Sequence, residues 1–498
     1  MRIGSLAVLA ILLSAVFCLP AVAQMGGMGG GMGGMGGGGM GGGGMGGMGG
    51  GGMGGGGMGG GAGGAGGRGG GAGGAGGNAI DAQGVLRTRM VPDSSLAARR
   101  RDAVAALDDD LRGRVPLRHV ALSRLEASLA KAAAAGHGIP DEMAKLAGLT
   151  RVQYVFIYPG EGSDRGEVVI AGPAEAWMTD AAGRTVGVET GAPTLLLEDL
   201  AVALRAFPPG QPTSRALGCS IDPTQEGLAA LQDFLRRTGR VNPKADVAGL
   251  IGGMREALGP QTVRVDGVPA STHFAHVMIE ADYRMKLIGI GLEAPPVKMS
   301  TWVQSATSQS VASNALQRWY FVPDYQCLRV SEDDLAIELV GQGVKLVGAD
   351  EVVLPDGRRM TADRANQASK MFTMAFTKKY PEIAARSPVY AQLRTLVDLA
   401  VVAAWLQEHD GYGKAGWGAE GLRDESVYPV ETLQAVTQVE TAINALWRGS
   451  RLITPIGGGV TIQPRMALDS PNLLMDEQGT VQTAHAAAKS LPADRWWW

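Results

Sequence analysis

A 53-residue tract, Met25–Gly77, is built from 39 glycines, nine methionines, four alanines and a single charge, Arg68. Such a stretch has too little side chain to offset the entropy lost in ordering its backbone, so it is expected to hold no fold of its own. It follows directly on Met1–Ala23. There Arg2 precedes the apolar run Leu6–Leu19, Pro20 breaks that run, and Ala21-Val22-Ala23 has the small-x-small pattern of a cleavage site. The apolar run is shorter than the roughly 20 residues of a spanning helix. The reading is an export signal cleaved before Gln24, a disordered leader over 24–78, and a folded body from Ala79 onward, with no transmembrane span left after cleavage.

That body has 420 residues, enough for a large core and for two or three domains. Its 43 basic residues face 48 acidic ones, and it has no basic stripe of the kind a nucleic-acid partner requires. The densest positive cluster, Arg99-Arg100-Arg101, is answered by Asp108-Asp109-Asp110, as on a solvated helix. Cleavage would remove Cys18 and leave Cys219 and Cys327. Paired, they would close a loop worth at most ~4–5 kcal/mol; the plainer reading is two separately buried thiols.

Periodicity predicts an α+β protein. A helical lead-in spans 79–150, with one helix capped by Ser94 or Ser95 and a second opened by Pro116 and running to about Ala134. A mixed α/β region follows over 151–260. It begins with the buried strand Val152–Tyr158 and includes a hairpin around Ala181-Ala182-Gly183 and a helix over Leu195–Phe207. Gly252 and Gly253 lie inside a helix ending near Leu258, where they either weaken it or permit a close packing contact. Region 261–360 holds the apolar helix His273–Ile290, capped by Thr272, and then a series of short strands. Region 361–498 is helical and mixed. Its apolar helix Val389–His409 carries Arg394, Asp398 and Glu408, which suits a protein core rather than a bilayer.

Several blocks resemble a known family. They are Gly218-Cys219-Ser220-Ile221-Asp222-Pro223-Thr224, Glu226-Gly227-Leu228, Gly267-Val268-Pro269 through Phe274-Ala275, Glu280–Lys286 and Gly289–Glu293. They are similar to exported bacterial proteins carrying the domain of unknown function 1598. The domain itself is placed at about 260–345, with the likeness extending over most of Ala79–Arg465, including Ser387–Tyr390 and Thr454–Val460. The resemblance implies export and supplies no activity or catalytic residues.

Chemistry-bearing constellations are few. His273, His276 and Glu280 fall near one face of a helix and are the candidate metal ligands, although His-x-x-His-x-x-x-Glu is not the familiar zinc-protease spacing. Glu280 with Arg284, and Asp282 with Lys286, are i,i+4 pairs expected to form salt bridges. The Met-x-x-Met spacings in the leader suit soft Cu(I), but no histidine or cysteine accompanies them, and a spacer is the better reading. Gly457-Gly458-Gly459 lacks the Lys-Ser/Thr of a phosphate loop, and no nucleophile-elbow pentapeptide is present. Tyr412 and Trp417 are either an aromatic platform or core residues. Trp496-Trp497-Trp498 is either a sticky tail or packed on the body.

The sequence names no cofactor. The expected function is that of a periplasmic or cell-envelope protein that binds or scaffolds without catalysis, its partner an envelope protein or a glycan. The alternative is a metal-dependent or other hydrolase using His273, His276 and Glu280.

Overall fold

In the strand Tyr154–Tyr158, alternate side chains point to opposite faces, and both faces are buried. Val155 and Ile157 join the main core, while Tyr154, Phe156 and Tyr158 form a second apolar layer with Val169 and Ala171. A sheet covered on both sides is therefore encoded in five residues. The computed structural model describes residues 74–81, 84–92, 95–160, 166–210, 216–238, 247–307, 315–349, 351–353, 359–361, 367–444, 446–448, 451–453, 458–489 and 495–498. The export signal, the Met-x-x-Met pairs and residues 24–73 of the leader lie outside the described residues.

The strands of the two large sheets are, in chain order, β1 (Gly74–Ile80), β2 (Val85–Pro92), β3 (Val115–Ala121), β4 (Tyr154–Tyr158), β5 (Glu167–Ala174), β6 (Leu217–Asp222) and β7 (Gln261–Asp266). They continue with β8 (Trp319–Pro323), β9 (Leu328–Val330), β10 (Ala336–Leu339), β11 (Val344–Gly348), β12 (Gln438–Val439), β13 (Gly458–Ile462) and β14 (Leu474–Met475). One sheet has eight strands in the order β1-β2-β12-β7-β6-β13-β8-β11, and the other six in the order β14-β9-β10-β4-β5-β3. Helices of eight residues or more are α1 (Leu96–Ala106), α2 (Leu122–Ala134), α3 (Leu197–Ala206), α4 (Gln225–Thr238), α5 (Val247–Leu258), α6 (His273–Ile290), α7 (Gln367–Arg386), α8 (Pro388–Glu408) and α9 (Thr480–Ala487). The fold is α+β, and Gly70–Trp498 forms one compact unit, so the regions bounded near 150, 260 and 360 share a body.

Helix α6 organises that body. Thr272 caps it by accepting from the Ala275 N–H, and Gly291 ends it with φ +77°, a left-handed turn that suits glycine. Between those caps nearly every side chain is buried, because α6 lies on β6 and β13 and also against α3 and α8. Gly289 lets α6 approach the sheet: a Cβ there would come within 2.4 Å of the Trp319 ring. Helix α8 is long and apolar enough to span a membrane, but 94% of its apolar window is buried inside the protein. Its Asp398 pairs with Arg151 at 3.0 Å, as its charges implied for a core helix.

Two expectations of local structure are corrected. The lead-in 79–150 is not helical throughout, since it contains most of the β1–β2 hairpin as well as β3, and the leader's last residues, Gly74–Gly77, are already strand β1. Pro116 does not open a helix. It lies in β3, which pairs with β5 on one side, and α2 starts only at Leu122. The other side of β3 takes Trp496–Trp498: Ala121 N–H donates to the Trp496 carbonyl, and His119 and Trp498 exchange both backbone bonds. Partners so remote in sequence leave no local trace, and sheet pairing overrides helix propensity. The tryptophan tail is thus packed, with Trp496 8% exposed, Trp498 stacked on His119, and Arg118 and Arg495 both over the Trp497 ring.

Candidate functional site

The three proposed metal ligands turn to different partners. His273 donates from Nδ1 to Asp199 on α3 at 2.9 Å, and its Nε2 lies 3.3 Å from the Gln392 amide nitrogen on α8. Arg184, in the turn between Trp177–Thr179 and Thr185–Gly187, donates at 2.6 Å to Gln392 Oε1 and at 2.6 Å to both oxygens of Glu280. Arg284 reaches Glu280 at 3.3 Å and Glu293 at 2.7 Å. His276 keeps a buried Nε2 that makes no hydrogen bond. Burial lowers its pKa, opposed in part by a hydrogen bond with the Gln434 backbone. Among the described residues no three His, Cys, Asp or Glu side chains are grouped to hold a metal ion. The His273–His276–Glu280 centre is therefore withdrawn: Glu280 is neutralised by two guanidiniums, and His273 is fixed by an acceptor and a donor.

The bonds run in one direction. Arg184 donates to Gln392, Gln392 donates to His273 Nε2, and His273 Nδ1 donates to Asp199. Such a chain polarises each member and ties α3, α6, α8 and the Arg184 turn together. It also occupies the Nε2 lone pair that a general base would need. Burial alone would lower the His273 pKa, but the Asp199 and Glu198 carboxylates outweigh it and the net shift is upward.

The predicted i,i+4 pairs on α6 both form. Lys286 Nζ reaches Asp282 at 2.9 Å and the Ile221 carbonyl at 3.1 Å. They are buried rather than superficial: Asp282 is 0% exposed and its Oδ1 makes no hydrogen bond. Burial, countered only in part by Lys286, pushes the Asp282 pKa up to about 6. Cys219 lies beside this pair, with its thiol raised chiefly by burial; Cys219 and Cys327 are separate buried thiols, as the plainer reading had it. Tyr412 and Trp417 are core residues too, donating to the Phe207 carbonyl and to Glu126.

A cleft of about 460 Å³ opens at the start of α6, where Thr272, the residue before His273, lines it. Its walls are Val202 and Arg205 of α3, Ser271 and Thr272 at the start of α6, and Glu425, Val430 and Glu431 of the segment after the short helix Glu420–Arg423. Arg205 straps that segment down by donating to the Leu422 carbonyl at 3.0 Å, to the Tyr428 carbonyl at 2.5 Å and to Glu425. Further along, Leu433 N–H donates to the Ser271 carbonyl at 2.8 Å. The cleft is thus held at two points and offers hydroxyls and carboxylates over an apolar floor. Sequence reasoning missed Asp199, Arg205 and Glu431; the only local signal was the α3 stripe, on which Val202 and Arg205–Ala206 follow Glu198 at helical spacing.

A second concavity of about 350 Å³ lies between α1 and Trp177–Thr179, next to Asp141, which accepts from the Trp177 indole at 2.5 Å.

No curated protein and no solved structure matches the chain. Residues 219–302, from β6 through α6 to Trp302, match the family described as protein of unknown function (DUF1598), so the matched segment begins and ends about 40 residues earlier than the 260–345 inferred from sequence. This segment supplies Gly267, Pro269, Ser271 and Thr272, hence one wall of the cleft. The chain therefore carries the domain of unknown function 1598 over Cys219–Trp302.

Proposed function

We propose that this protein works outside the cytoplasm, in the periplasm or cell envelope, as a non-catalytic binding or scaffolding protein that takes its partner in the α3–α6 cleft. Export rests on the basic start, apolar run and small-x-small site of Met1–Ala23. Binding rather than turnover rests on one observation: Nε2 of His273, which follows the cleft-lining Thr272, is engaged by the Gln392 amide. The strapped wall suits recognition, because a site already held in shape loses little entropy on binding.

Cell fractionation of the tagged chain tests the first part. The expected product begins at Gln24 and is found in the periplasmic or envelope fraction; an uncleaved chain in the cytoplasm overturns export. For the second part, thermal shifts are measured with envelope peptides and glycan fragments against the full chain and against Ser271→Trp, which fills the cleft. Stabilisation abolished by Ser271→Trp supports the reading. Hydrolysis of any such ligand, lost in His273→Gln, overturns it.

A further inference from the structure

We propose that His273 is a pH-operated latch: on taking up a proton it breaks the hydrogen-bond chain that ties the Arg184 turn to α8, and it converts the neutral link between α3 and α6 into an ion pair. The latch rests on geometry alone, and only its bearing on the cleft rests on the binding reading above.

The two ends of the chain fix every role between them. The Arg184 guanidinium can only donate, so the Gln392 amide must present Oε1 to it, at 2.6 Å. That leaves the amide NH2 for His273 Nε2, 3.3 Å away, which therefore carries a lone pair. The ring hydrogen sits on Nδ1 and meets the Asp199 carboxylate at 2.9 Å. Such an arrangement accepts only a neutral imidazole. Protonation puts an N–H on Nε2, directly against the amide NH2. If the amide turns to offer Oε1 to His273, its NH2 faces Arg184, again donor against donor. Gln392 is 7% exposed, so solvent does not replace the lost bond, and one link breaks either way. Arg184 keeps both oxygens of Glu280 at 2.6 Å; what it loses is the tie to α8. The His273–Asp199 bond meanwhile becomes charge-assisted and strengthens.

The groups around the ring decide where the latch turns. From α3, Asp199 and Glu198 favour the proton; from the turn, Arg184 opposes it, as does burial of the ring. On α6 itself His276 and Glu280 follow at helical spacing, and α8 presents the uncharged Gln392. Tyr428, near Asp199 and Glu198, stays neutral because burial raises its phenol. The carboxylates prevail, and His273 takes its proton above the ordinary histidine value of 6.5. Its side chain is 22% exposed, so the proton can arrive from solvent. Asp199 lies three residues before Val202 on α3 and His273 directly follows Thr272, so the pair joins the two helices that wall the cleft. One proton thus draws those walls together and frees the Arg184 turn.

The test uses the full chain without ligand, so its failure leaves the binding reading standing. Nitrogen NMR of the imidazoles, with His273→Gln to assign the signal, is expected to place the His273 hydrogen on Nδ1 at high pH. A hydrogen on Nε2 there overturns the proposal. Hydrogen exchange followed by mass spectrometry is expected to show the turn at Asp180–Thr185 exchanging about threefold faster or more, beyond the intrinsic pH dependence, once His273 is charged. Gln392→Met has no amide to donate, so it is expected to lose that step and to let His273 titrate about 0.5 pH unit higher or more. Gln392→Glu accepts from Arg184 and from charged His273 alike, so there the step is expected to reverse; it also serves if Gln392→Met fails to fold. No step in the parent, or an unchanged step in either folded variant, overturns the latch.

Discussion

Asp282 shows how a single residue can make stability depend on pH against the usual direction for a carboxylate. Its folded pKa of about 6 lies above the ordinary carboxylate value of 3.8. Between those values the native state holds the proton more tightly than the unfolded chain does. The contribution is therefore complete below about pH 3.8 and is lost as pH rises through about 6. Urea titrations at pH 4 and pH 7 should show Asp282→Asn removing part of that decline, because asparagine cannot ionise. A slope identical to that of the parent would mean that Asp282 is not the group responsible. The pairing of Asp282 with Lys286 is legible from a spacing of four on one helix. Its burial is not, since β6, which supplies the Ile221 carbonyl, lies far away in sequence. The same holds for Glu280: Arg284 was visible as its helical neighbour, but Arg184 reaches it from a turn nearly a hundred residues earlier.

At the scale of elements, adjacent glycines in α5 behave differently. A Cβ on Gly252 meets nothing within 4 Å, whereas one on Gly253 would lie 2.6 Å from the Phe234 ring of α4. Gly252→Ala is expected to stabilise the protein by ~0.4–1 kcal/mol through helix propensity and unfolded-state entropy. Gly253→Ala and Gly289→Ala are expected to destabilise it by ~1–3 kcal/mol, since an aromatic ring must shift in each case. Chemical denaturation of the three variants checks this, and equal effects at 252 and 253 would contradict the packing described. The sequence allowed both readings of the pair, and the α4–α5 contact assigns one to each glycine. Elements that are apolar almost throughout and bounded by clear stops, such as α6 between Thr272 and Gly291 and β4 before Pro159-Gly160, were legible almost residue for residue. β3 was not, because its helix-forming composition is overridden by partners on both edges.

Across the whole molecule, each large sheet combines pairs of strands consecutive in the chain, such as β1–β2 and β4–β5, with strands brought in from far away. β12 stands between β2 and β7, and β13 between β6 and β8. The six-stranded sheet is extended at β3 by Trp496–Trp498. Ending the chain after Arg495 removes that cover and leaves the β3 backbone exposed, a template for pairing with another molecule. Size-exclusion chromatography with light scattering should then show self-association and a lower melting temperature; a monomer of unchanged stability would mean that the tail is dispensable. Such connectivity explains why the α+β class could be read from local patterns while the strand order could not.

The late strands also set a timetable. β3 acquires its second partner only when Trp496–Trp498 have been synthesised, and β2 meets β12 only after residue 438 has been made. Contacts so distant along the chain form slowly, after a long loop has been closed. Emerging from the ribosome, this polypeptide lacks the means to finish either large sheet until nearly all of it has been made. A chain held incomplete in that way stays open to chaperones and to threading through a narrow channel for most of its synthesis.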